Sequence, residues 1–194
     1  MRTLIVVRIV HASADMGSMS EELVKEGMAK MGEERWFENQ RKIENFWNEV
    51  EKEIDELDLD YSMTRVYQDG LPASGELGWR IVNETADKGS RNYQIVRRLI
   101  ERGSTIEATE SPQLLLKEYE HIKAIVSAAT AKEKTEAVRS YEQIKDGLIK
   151  ERDEYVAKAI DATLKDGETG VLFIGAAHNV VPELPGDIEV KSLD

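Results

Sequence analysis

The chain has 194 residues, 41% of them hydrophobic and 33% charged, with a formal net charge of −12 and no cysteine. Without cysteine there are no disulfides, thiolate metal sites, iron–sulfur clusters or thiol nucleophiles, and an acidic balance with no basic cluster argues against a nucleic-acid surface. No apolar run approaches the roughly 18 residues that span a bilayer, and the short N-terminal run carries Arg8, which does not suit a signal peptide, so the expectation is a cytoplasmic protein off the membrane.

The elements then follow in chain order. Thr3–Val10 is a continuous β-branched and apolar run, as in a strand covered on both faces. It ends on His11, one of only three histidines. After a Gly/Ser loop, Ser18 and Glu21 have capping-box spacing and predict a helix to Met31. A long amphipathic helix at about 34–58 carries a stripe of Trp36, Phe37, Gln40, Ile43, Phe46, Trp47, Val50, Ile54 and Leu57, which reads as a core or dimer face rather than a binding groove. Tyr61–Tyr67 is a second strand, ending in the turn-rich "QDGLPASGE". Helices are expected over Glu76–Thr85 and Arg91–Arg102, the second stopped by Gly103.

"STIEATE" is a third strand, and Ser111-Pro112 is a cap with a first-turn proline, opening a helix to Ala129. A further helix covers Lys132–Leu164, with a break expected near Gly147. Val171–Ile174 is the fourth strand, running into Gly175-Ala176-Ala177-His178, and "DIEVKSL" closes as an edge strand. Strands alternating with helices predict one α/β domain over residues 1–194, with a mostly parallel sheet flanked by long helices.

In such a sheet, ligands bind beyond the carboxyl ends of the strands. There the sequence places His11, Asp69, Glu107 with Glu110, and His178, one group or pair after each of the first four strands. Two imidazoles with carboxylates suit two chemistries. One imidazole acts as general base while the other holds an oxyanion, or both ligate a divalent metal that acidifies water. Asp15 either orients His11 or makes a local turn, Arg152 either anchors an anionic group or pairs with a structural acid, and His121 reads as surface or interhelical. There is no P-loop, no dinucleotide fingerprint and no GxSxG elbow.

Residues 151–185, "ERDEYVAKAIDATLKDGETGVLFIGAAHNVVPELP", resemble the C-terminal signature of the TraB superfamily, which takes in TraB/PrgY, TIKI, GumN, erythromycin-esterase and ChaN-like proteins. The pattern of an Arg followed by an acid or amide, a helix, an apolar strand and Gly-x-x-His is met by Arg152-Asp153, the helix to Leu164, Val171–Ile174 and Gly175 to His178. The family's first Gly-x-x-His falls on Arg8 to His11, with arginine in place of glycine, and its acidic residue falls on Asp69 in place of glutamate.

The resemblance implies that both histidines converge on one site. It also implies an activity among metal-dependent proteolysis, metal-independent ester cleavage and haem binding. The resulting expectation is a hydrolase of an ester or amide bond. His11 is its general base, Asp69 or Glu76 orients the base or the water, and His178 is the oxyanion or metal group. Arg152 positions substrate, and Arg8, Asp15 and Gly175 are further substrate contacts. The expected ligand is a small molecule or peptide, and the expected cofactor a divalent metal on His11 and His178, with haem after it. A binding protein without turnover is the alternative. A third reading is a homodimer formed through the tryptophan stripe.

Overall fold

A computed structural model describes residues 1–10 and 20–193 of the chain. His11, Asp15 and the capping-box Ser18 lie outside the described residues. The strands are β1 (Arg2–Ile9), β2 (Thr64–Gln68), β3 (Thr105–Glu107), β4 (Thr169–Gly175) and β5 (Ile188–Leu193). The helices are α1 (Ser20–Met31), α2 (Glu33–Glu56), α3 (Gly75–Asp87), α4 (Arg91–Glu101), α5 (Pro112–Val126), α6 (Ala131–Glu142) and α7 (Lys145–Thr163). The expected α/β architecture is present, and the sheet is parallel throughout, in the order β3-β2-β4-β1-β5.

A parallel sheet needs cover on both faces. Strand alternation divides the apolar side chains accordingly. Val7, Ile9, Val66, Val171 and Phe173 pack with Trp47, Val50 and Ile54 of α2, Val82 of α3 and Ile95, Val96 and Leu99 of α4. Leu4, Val6, Tyr67, Leu172 and Ile174 pack on the other side with Val156, Ala157 and Ile160 of α7. The tryptophan stripe therefore divides. Its C-terminal half is core, whereas Phe37 stands 56% exposed. None of the helices is long and apolar enough to cross a membrane, among the described residues.

Local signals set most boundaries. Ser90 caps α4 by accepting from the Tyr93 amide, and Ser111 caps α5 by accepting from the Leu114 amide, with Pro112 in its first turn. At the end of α4, Gly103 has φ +116, its amide donates to Ile100 and the Ser104 amide to Leu99. This is the Schellman closure, which favours a residue without a β-carbon.

Four boundaries differ most from expectation. The second strand starts at Thr64, because the Asp60 side chain accepts from the Ser62 amide and turns Tyr61–Met63 into a 3₁₀ segment. The third strand is only Thr105–Glu107, because Thr109 and Glu110 leave the ladder and donate their amides to the Leu71 carbonyl. α5 stops at Val126, where the Ser127 hydroxyl turns back on the Lys123 carbonyl. The break in the last long helix falls at Gln143–Ile144 rather than Gly147, which is absorbed in the first turn of α7.

Candidate functional site

The chain leaves β2 for the outer neighbour β3, but leaves β4 for β5 on the opposite side of β1. The connections after adjacent β2 and β4 thus diverge at their carboxyl ends. Asp69 and His178 follow those two strands.

Asp69 is held by backbone. Its amide donates to the Phe173 carbonyl at 2.9 Å, and its Oδ2 accepts from the Gly175 amide at 3.0 Å. The chain then turns through Gly70, φ +78, and the Leu71 amide closes the turn on Gln68. The Leu71 carbonyl receives the amides of Thr109 and Glu110, which carries Glu110 in beside Asp69.

α7 supplies the other wall. Leu148, Arg152, Val156 and Ile160 recur every fourth residue, with Asp153 and Ala157 beside them, so one buried stripe holds both the apolar contacts to the sheet and two charged side chains. Arg152 and Asp153 lie one turn before the apolar part. Arg152 donates to three carboxylates. Nη2 reaches Asp69 Oδ1 at 2.7 Å and Glu110 Oε1 at 2.5 Å, Nε reaches Glu110 Oε2 at 3.2 Å, and Nη1 reaches Glu118 Oε2 at 2.5 Å. Burial, acting against the pull of Arg152, pushes the Glu110 carboxyl up to about 7.

His178 ends a tight turn in which its amide donates to the Gly175 carbonyl at 3.1 Å. Its Nδ1 lies 2.6 Å from Asp153 Oδ1, and the other Asp153 oxygen accepts from the Asn179 amide at 2.9 Å. Its Nε2 faces Asp69 Oδ2 at 3.7 Å. Asp69, Glu110, Arg152, Asp153 and His178 are each at most 6% exposed. Ligand atoms from Asp69, Glu110 and His178 lie within 4.8 Å of one another.

Asp69, Arg152, Gly175 and His178 are thus brought together. Arg8 touches the same turn, donating Nη1 to the carbonyl of His178 at 2.8 Å and of Gly175 at 3.4 Å, so it braces the backbone that carries the imidazole. Glu76 is not in the cluster. Gly78, Val82 and Ala86 face inward on α3, which leaves Glu76 exposed on the far side, lining a surface groove with Trp79 and Arg80. The carboxylate on the His178 Nδ1 is Asp153. Glu107 points elsewhere as well and, with Glu168, pairs with Arg65. His121, on α5, has its ring 6.2 Å from that of Tyr141 on α6.

The sequence marks Asp153 only through the Arg152-Asp153 pattern, which gives it no stated role, and does not mark Glu118. A signal existed for Asp153, a charge in phase with the apolar stripe of its helix. None existed for Glu118, one acid among many on a solvated helix. Searches of family models, curated proteins and solved structures find no match to this chain.

Proposed function

We propose that the protein is a hydrolase of an ester or amide bond, of the TraB and erythromycin-esterase-like kind, with His178 as the group that activates water. One observation carries this reading. Asp153 holds His178 from behind and leaves Nε2 directed at Asp69. A carboxylate behind an imidazole selects the tautomer, orients the ring and stabilises the imidazolium that forms when it takes a proton. In this reading Nε2 takes the proton from water, and Asp69, anchored by the Gly175 amide, directs that water. Arg152 balances the charge of the carboxylates and stabilises the oxyanion of the tetrahedral intermediate. The His178 imidazolium then returns its proton to the leaving group.

A second reading has a specific observation behind it, the convergence of one nitrogen and two carboxylate donors within 4.8 Å. That donor set suits a small divalent cation held by Asp69, Glu110 and His178, with Asp153 fixing the ligating imidazole. Such an ion would supply a Lewis acid that lowers the pKa of bound water. Haem fits this arrangement less well, because 3.7 Å between Nε2 and Asp69 leaves no space for a porphyrin over the imidazole.

The test is a panel of aryl esters and peptide amides, assayed with chelator and with added Zn²⁺, Mn²⁺ or Mg²⁺. Turnover that falls by about 100-fold or more in both His178→Ala and Asp69→Asn, with circular dichroism unchanged, supports hydrolysis at this cluster. The resemblance to the family adds the expectation that His11→Ala also abolishes it. Turnover equal in wild type and variants, or none on the whole panel, rejects the reading. In that second case, metal binding by wild type that is lost in His178→Ala would favour the binding alternative.

A further inference from the structure

The α5–α6 hairpin stands apart from both cores. No residue of either helix is buried, and neither apolar cluster includes one. What joins it to the candidate site is polar. Glu118 of α5 accepts from Arg152 Nη1 at 2.5 Å, and its other oxygen accepts from the Tyr141 hydroxyl of α6 at 2.8 Å. Burial, with the bond to Glu118 second, pushes the Tyr141 phenol up to about 12, so it remains a donor at working pH.

The guanidinium is a rigid planar fork. Its Nε and Nη2 are engaged by Glu110 and Asp69, and Nη1 by Glu118. A fork held on two edges cannot pivot. Released at Nη1, it would swing about its pairing with Glu110 and loosen its contact with Asp69.

We infer that Glu118, fixed by Tyr141, is a positioning residue that sets the Arg152 guanidinium, and that the α5–α6 hairpin thereby controls the geometry of the buried Asp69–Glu110–His178 cluster. Only the effect on turnover rests on the hydrolase reading; the coupling of hairpin to guanidinium stands without it. It follows that a ligand or partner seated on the hairpin would reach the cluster through one side chain.

The test uses the full chain as wild type, Glu118→Gln, Tyr141→Phe and, as a control on the same helix, Glu120→Gln. Two readouts need no substrate: the Arg152 Nε–H resonance, assigned with Arg152→Lys, and amide hydrogen exchange across residues 112–142. Glu118→Gln and Tyr141→Phe are expected to speed exchange of the Arg152 Nε–H and of the hairpin amides by about tenfold or more, while Glu120→Gln matches wild type. With a substrate in hand, kcat falls and KM moves less than about twofold. An Arg152 resonance unchanged in Glu118→Gln, or an unchanged kcat, overturns the inference. Should Glu118→Gln fail to fold, Tyr141→Phe, which keeps the ion pair, decides on the same readouts. A chain that hydrolyses nothing but shows the tenfold change rejects the hydrolase and keeps the coupling.

Discussion

His178 and Asp153, 25 residues apart in the chain, meet with Nδ1 2.6 Å from Oδ1, and the second Asp153 oxygen holds the next backbone amide, that of Asn179. One carboxylate therefore fixes both the imidazole and the loop that carries it. Asp153→Asn keeps the volume but removes the charge and offers an amide that can present a donor to Nδ1. On the proposed hydrolase reading, the expected result is a kcat lowered by about 10²- to 10⁴-fold with Tm changed by only a few degrees, measured by steady-state kinetics beside calorimetry. Equal activity in Asp153→Asn would remove the basis for His178 as the base.

Arg152 is the cation shared by Asp69, Glu110 and Glu118. Arg152→Met fills a similar space but leaves buried carboxylates without a counter-charge. A loss of about 3–5 kcal/mol in urea unfolding is expected, since removing one partner strands the other. Arg152→Lys should lose less, because the charge stays while the fork is lost. A cost below about 1 kcal/mol for Arg152→Met would mean that the carboxylates escape to water.

Glu110 provides a pH signature. Its folded-state carboxyl is raised from 4.5 to about 7, with burial as the leading cause. Below pH 4.5 both folded and unfolded forms carry the proton. Between 4.5 and about 7 the folded chain binds more protons than the unfolded one, so this group's contribution to stability falls as pH rises and is lost above about 7. Denaturation over that window should show wild type losing stability relative to Glu110→Gln as pH increases. Parallel profiles for the two proteins would count against the assignment.

The tryptophan stripe gives a further contrast. Trp47 is fully buried in the core over β1 and β4, whereas Phe37 is 56% exposed. Trp47→Ala should cost about 3–5 kcal/mol, and Phe37→Ala about 0.5 kcal/mol or less, in chemical denaturation of the isolated chain. If the exposed half of the stripe is a dimer face, Phe37→Ala will instead shift the sedimentation of wild type toward a smaller species.

Residue order alone determined a good deal. Continuous runs such as "LIVV" and "VLFI" are covered on both faces because a parallel sheet leaves no wet side, and that made the α/β class readable. Gly103, Ser111 and Pro112 placed helix ends, because caps act over one turn of chain. Asp69 and His178 could be named because strand ends are local features and a parallel sheet gathers them on one rim. Tertiary structure decided the rest. Strand order set which rim groups became neighbours, and so separated Glu107, drawn to Arg65, from Glu110, drawn to Asp69. Helix phase turned Glu76 outward and Asp153 inward, which keeps the one out of the cluster and sets the other behind the His178 imidazole. The reach of Glu118 to Arg152 depends on how the α5–α6 hairpin folds back on α7, a long-range packing outcome that no short pattern encodes.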